Sequence, residues 1–279
     1  MKSKIYSVQC LTNLHMGSGD INFNVIDNEV QRDPVLNTPA MFASGVKGAL
    51  RDHFEAAAKD KVADIFGSSI RDSREGNRDK SKPGSLKFLG GTMLLQPVRA
   101  AKGPGTYFLA TTRQLLHNWA ESYADFKGKE VEAGLLKAVE SLNKNKVYAA
   151  FSPVDIKVET VEHKADQLHK IDEVIKKALL HLIDEEKYAR VLVIPETEFD
   201  KIHLPVLARN QLDNGISNNL WYEEVVPHEA VFYMTVLADE SETGLEALEV
   251  FGEVIKNNSL VQFGGNATIG YGLTKLVEY

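Results

Sequence analysis

Residues 13–51 read NLHMGSGDINFNVIDNEVQRDPVLNTPAMFASGVKGALR, and the rest of the chain is arranged around them. An apolar, β-branched run from Ile5 to Leu14 reads as a strand and ends at His15. Gly17 and Gly19 follow. They open backbone geometries closed to other residues, so the turn can pass close to a ligand or a neighbouring chain. A short alternation of Ile21, Phe23 and Val25 leads into a polar loop with Asp27, Gln31, Arg32 and Asp33. Pro34 and Pro39 punctuate that loop. Ser44-Gly45-Val46-Lys47-Gly48 then opens a helix expected to reach about Ala58, with Ser44 as its N-cap. Val46, Ala49, Leu50 and Phe54 form its apolar side. Gly45 and Gly48 in the first turn cost an ordinary helix stability. Two causes would justify them: close approach of a phosphate backbone to free amides at the helix start, or a tight helix–sheet contact.

Outward from this segment, bulk properties narrow the function classes. At 279 residues with 43% hydrophobic and 25% charged residues, the chain can bury a sizeable core. A formal net charge of −7 argues against indiscriminate coating of nucleic acid and leaves room for a local basic groove. The single cysteine, Cys10, lies in the first apolar run and has no intrachain disulfide partner, which points to a buried thiol in a reducing compartment. No apolar run approaches membrane-spanning length, and MKSKIYSVQCL leads straight into a strand rather than a signal peptide. No membrane and a cytoplasmic location are the expectation.

Past the helix, Gly67 to Gly84 reads GSSIRDSREGNRDKSKPG, a flexible basic loop that is either solvated or a phosphate-contacting arm. Ser85 to Gln96 reads as strands about a glycine pair and ends in Pro97-Val98-Arg99. Helices are expected at about Thr112–Tyr123 and Lys129–Leu142, strand-like chain interrupted at Pro153 over Val147–Val161, and one regular helix from Leu168 to about Glu186. His169 and His181 are isolated, which suits structural or surface roles. Arg190–Ile194 reads as a strand. Asp213-Asn214-Gly215 centres a protruding hairpin. Glu223 and Glu224 adjoin it and cannot both point the same way from a regular strand. A strand at Val231–Leu237 and a helix at about Leu245–Ile255 precede the glycine-rich end, VQFGGNATIGYGLTKLV. Neither GxxxxGK[ST] nor a Rossmann GxGxxG after a strand occurs, so use of nucleoside triphosphates is unsupported.

Three of these pieces, HMGSG, IDNEVQRD and PAMFASGVKGALR, resemble the N-terminal signature of the RAMP superfamily of CRISPR RNA-binding proteins. The Gly264-Gly265 and Gly270-Tyr271-Gly272 turns resemble the superfamily's C-terminal glycine-rich loop. RNQLDNGISNNLWYEEVVP, at Arg209–Pro227, resembles the thumb of the repeated backbone subunit of type III-B (Cmr) effector complexes.

The resemblance implies an α+β fold: a modified ferredoxin-like, RNA-recognition-motif-like core in a single domain, 1–279. Insertions would lie at about 67–84 (the flexible basic loop), 112–187 (largely helical) and 199–226 (the thumb). It implies guide-RNA contacts at Gly45, Lys47 and Gly48, supported by Arg51, Arg71, Arg74, Arg78 and Arg99, with Gly264 and Gly265 in the C-terminal loop. It makes Asp27 the first catalytic candidate for cutting target RNA, with His15, Asp33 and Glu224 weaker, and Asp20 weaker still. A divalent cation, Mg²⁺ or Mn²⁺, is implied. Asp27 would hold it, activate the attacking 2′-hydroxyl or position the nucleotide, and one Asp is not by itself a metal site. Implied partners are guide CRISPR RNA, complementary target RNA, further copies of the chain in a head-to-tail filament, and the other Cmr subunits. The sequence departs from the family's pattern at Asn28-Glu29. Two other roles stay open: a non-catalytic RNA-binding scaffold, and, as the resemblance to other RAMP proteins implies, a precursor guide RNA processing enzyme using His15.

Overall fold

The computed structural model describes residues 1–19, 25–68, 82–127 and 129–279. The strand expected at 21–26 falls largely outside these, as do Asp20, Arg71, Arg74 and Arg78.

Strand Lys2–Cys10 sits near the middle of a mixed sheet that joins thirteen strands among the described residues. It pairs antiparallel with Val231–Ala238 on one side and Leu273–Glu278 on the other. Val231–Ala238 pairs antiparallel in turn with Gly91–Lys102, and it is buried along its whole length. Such two-sided burial explains the unbroken apolar reading VFYMTVLA. The polar side chains of Ser7 and Gln9 in the first strand are covered too. Ser7 Oγ and Gln9 Nε2 donate to the Leu182 carbonyl at 3.1 and 2.8 Å. A helix end thus spends its free carbonyl on the sheet's polar positions.

On the opposite face, helices Ala43–Ala57 and Glu242–Asn257 cover the sheet. Val46, Leu50 and Phe54 are the buried positions of the first. Each is worth roughly 1.5–3 kcal/mol of apolar burial. Phe54 stacks on Phe251 with centroids 5.1 Å apart, joining the two helices, and Phe251 meets Phe88 of the sheet at 5.7 Å. Cys10 is fully buried here, and burial pushes its thiol up to about 12.

The middle of the chain builds a second core around Trp119, with helices Arg113–Lys127, Lys129–Ser141 and Glu173–Leu182 on the sheet's other face. One expectation is corrected there. The helix expected from Leu168 to Glu186 is divided: Leu168–Lys170 is a strand parallel to Val147–Ala149, followed by helices Glu173–Leu182 and Glu185–Tyr188. Asp172 and Asp184 impose the divisions, since each side chain caps the helix after it by accepting a backbone amide. Val147–Val161 is strand-like with the expected interruption about Pro153: its strands are Val147–Ala149 and Ile156–Val158, the latter in a hairpin with Val161–His163. The segment 112–187 therefore mixes strands with its helices.

A second correction concerns Ser44. The N-cap of Ala43–Ala57 is Phe42, which has no capping side chain of its own. The Phe42 amide is instead satisfied by Gln31 Oε1 at 2.8 Å. The expected hairpin is present as Val206–Asp213 and Ile216–Glu224, with Asn214 and Gly215 both at positive φ in the turn. It forms a ribbon separate from the large sheet, and Leu212, Ile216 and Leu220 on it are 62, 73 and 53% exposed.

Candidate functional site

The quoted N-terminal segment, the thumb base and the glycine-rich end meet at one place. Leu14 and Val226 exchange backbone hydrogen bonds of 2.8 and 2.9 Å, which seats the turn after the first strand on the thumb's exit. The His15 carbonyl accepts the Gly265 amide at 2.9 Å. Gly264 has φ +73°, and a side chain there would collide with the His15 carbonyl, so only glycine fits. Between these turns and the start of Ala43–Ala57 lies a groove of about 690 Å³ lined by Met16, Gly17, Gln31, Gly45, His53 and Gly264, among others.

The groove answers the question posed by the helix glycines. A Cβ at Gly48 would meet nothing within 4 Å, and one at Gly45 would meet only the flexible end of Met16, at 3.2 Å. Helix–sheet packing therefore demands glycine at neither. Both are exposed, as are Ala43 and Ser44, at a helix start with no acidic residue in its first turn. Lys47 is partly exposed and, among the described residues, enters no salt bridge. Free amides, small residues and an uncommitted ammonium group suit an anion. Arg51 is partly committed, donating to the Gly67 carbonyl at 2.9 Å and pairing with Glu55 at 3.4 Å. Arg99 lies away from the groove's lining, with a largely exposed side chain 3.7 Å from Glu159.

Asp27 is exposed and docked on the thumb. Its Oδ2 accepts the Tyr222 amide at 2.7 Å, and its own amide donates to the Tyr222 carbonyl at 3.1 Å. Its Oδ1 has no protein partner among the described residues. Asn28 continues the pairing as a parallel bridge to Glu223. Asp33 caps its own turn, accepting the Val35 and Leu36 amides at 2.9 and 2.8 Å.

Glu223 and Glu224 point to opposite sides, as a regular strand requires, and both are buried. Glu224 accepts the Val30 amide at 3.1 Å and pairs with Arg32. Glu223 accepts Asn266 Nδ2 at 2.6 Å and Arg209 Nη1 at 3.3 Å, with His15 Nε2 at 3.8 Å. His15 Nδ1 bonds the Glu224 carbonyl at 2.8 Å. Arg209 also lies over the Tyr271 ring, 5.6 Å from its centroid, and over Trp221 at 6.0 Å. Arg209 and Asn266 carry no mark in the sequence because their partners are 14 and 43 residues away. The signal that could have found Arg209 is an Arg–Trp pair facing across a hairpin whose turn is itself legible.

Comparison with known proteins decides the family. The sequence matches the RAMP superfamily over residues 7–275, nearly the whole chain. The chain belongs to the RAMP superfamily. A relative within it, the CRISPR system Cmr endoribonuclease Cmr4 of Pyrococcus furiosus, is 27% identical over 300 residues, covering 99% of this chain and 95% of that one. The fold recurs in the type III-B Cmr-beta complex bound to cognate target RNA, with TM-score 0.78, 20% identity, and 100 and 97% of the two chains covered. It recurs also in oligomeric Cmr4 of Pyrococcus furiosus, with TM-score 0.73, 20% identity, and 100 and 98% covered.

In this RAMP chain the signature motifs therefore share one groove and one thumb base, though they come from opposite ends of the sequence. Among the described residues no group of three or more His, Cys, Asp or Glu side chains is placed to hold a metal ion, and no helix is long and apolar enough to cross a membrane.

Proposed function

We propose that this chain is the repeated backbone subunit of a Cmr-type CRISPR effector complex, an endoribonuclease that binds guide RNA and cuts complementary target RNA at regular intervals. The observation that carries this reading is the groove itself, which gathers Gly17, Gly45 and Gly264 beside the helix start that bears Lys47, in a RAMP chain similar throughout its length to a Cmr endoribonuclease. Its partners would be guide RNA, target RNA, further copies of itself and the other Cmr subunits, in the cytoplasm. Head-to-tail contacts that do not close give the filament.

The core is read as a modified ferredoxin-like unit in a single domain, 1–279, with insertions at about 67–84, 112–187 and 199–226. Support comes from the strand order Leu273–Glu278, Lys2–Cys10, Val231–Ala238, Gly91–Lys102, antiparallel throughout, with two helices on one face. That is the split βαβ arrangement. The chain shows no aromatic stripe of the RNA-recognition-motif type. Guide recognition therefore runs through phosphates, 2′-hydroxyls and shape.

RNA carries its own nucleophile, the 2′-hydroxyl next to the scissile phosphate. The protein has to align that oxygen with the phosphate and stabilise the charge that develops. Asp27 is the group proposed to act there, through the carboxylate oxygen not spent on Tyr222. Among the described residues no group of three or more His, Cys, Asp or Glu side chains gathers about Asp27 to make a resident metal centre. The Mg²⁺ or Mn²⁺ proposed for cutting would therefore be held largely by RNA oxygens.

The guide-binding half is tested with Lys47→Ala in a filter-binding titration across salt concentrations. Each phosphate neutralised on a single strand contributes about 0.7 to the salt slope, so the slope should fall by roughly that amount. Affinity should drop about equally for unrelated guide sequences. An unchanged affinity and slope would count against the groove as the guide site.

A further inference from the structure

We propose that Gln31 is a positioning residue for guide binding, a brace that holds the start of helix Ala43–Ala57 against the His15–Gly19 turn. The inference rests on the groove being the guide site. Its physical basis is the unsatisfied helix start. The N-cap is Phe42, a residue that cannot cap. Its amide is met from eleven residues upstream by Gln31 Oε1, at 2.8 Å. The other end of the same side chain, Nε2, donates to the Gly17 carbonyl at 3.1 Å. The Gln31 backbone repeats the link, its amide donating to Met16 O at 2.7 Å and its carbonyl accepting from Ala40 N at 2.9 Å.

One residue thus ties the glycine turn to the helix start, and both elements line the groove with it. The brace continues to the thumb. Arg32, the next residue, is held by Glu224, and Asp27 by Tyr222. A side chain that carries both an acceptor and a donor at this length is needed. Asn is too short to reach both partners, and a carboxylate in its place would face the Gly17 carbonyl without a proton to give. The spacing between the free helix amides and the turn then depends on Gln31, although its own polar atoms are already spent on the protein.

The test is Gln31→Met, which keeps length and bulk and removes both hydrogen bonds. In the free protein, hydrogen exchange at the Phe42 amide, read by NMR, should speed up by about three- to tenfold, the weight of one net hydrogen bond. Guide affinity should fall by a similar factor while the salt slope stays as in the wild type, because no phosphate contact is lost. The thermal midpoint should move little, since the side chain lies at the groove's surface. Unchanged exchange at Phe42 would overturn the proposal. So would lost affinity with Phe42 still protected, which would make Gln31 a direct RNA contact. Lys47→Ala run alongside separates the two readings: if it too leaves guide binding intact, the groove assignment fails, whatever Phe42 exchange shows about the brace.

Discussion

Asp27→Asn should assemble with guide RNA and bind matched target as the wild type does, yet leave the target uncut. The substitution is chosen from the geometry. The Asp27 carboxylate has a structural duty, accepting the Tyr222 amide at 2.7 Å, and an Asn carbonyl oxygen can take it over. Ala would remove that anchor together with the charge and confound the two. What Asn lacks is the negative charge on the second oxygen, whether that oxygen takes the proton of the 2′-hydroxyl or positions the nucleotide. Removing one preorganised group at a site of developing charge costs on the order of 10²–10³ in rate. Single-turnover cutting of end-labelled target by the reconstituted complex in Mg²⁺ measures this. Regularly spaced products should fade by that factor with Asn, and undiminished cutting would remove Asp27 from the chemistry. If the wild type does not cut either, the chain is a scaffold.

Glu224→Ala should unfold the thumb base more readily than any surface change. It leaves Arg32 facing an empty site and strips the Val30 amide of its acceptor. Breaking a fully buried ion pair costs 3–5 kcal/mol, and Arg32 keeps 31% of its side chain in solvent, so about 2–4 kcal/mol is expected. Urea denaturation should show a lower midpoint and an unfolding free energy reduced by that amount. Glu224→Gln retains an acceptor for Val30 and a weaker partner for Arg32, and should lose less than half as much. Because Val30 and Arg32 belong to the strip that carries Asp27, cutting by Glu224→Ala should also fall even where the folded fraction is high. An unaltered midpoint would show that the pair is dispensable to the thumb base.

Much of this arrangement is legible in the amino-acid sequence, for local reasons. Asn214-Gly215 specifies a tight hairpin whatever surrounds it. The spacing of Val46, Leu50 and Phe54 marks a helix face, and a row such as VFYMTVLA can only be a buried strand or helix segment. Sequence and structure part where distant groups override local signals. Ser44 looks like a cap, but Gln31 supplies the acceptor two positions earlier, at Phe42. Leu168–Glu186 keeps a helical period across two Asp residues that in fact start new helices. Ser7 and Gln9 find their partner in Leu182, more than 170 residues on, which no local pattern marks. The site follows the same rule. Residue types and the resemblance pick out His15, Asp27, Lys47, Glu224 and Gly264, and no local pattern can pair Glu223 with Asn266 and Arg209.

The central claim, a guide-binding subunit that repeats along RNA, is tested most directly by native mass measurement of the chain mixed with single guide RNAs of increasing length. The account predicts a ladder: each added stretch of RNA, of one constant length, recruits one more copy, and Lys47→Ala shifts the whole ladder to higher protein concentration. A single copy bound regardless of RNA length, or no binding at all, would contradict it.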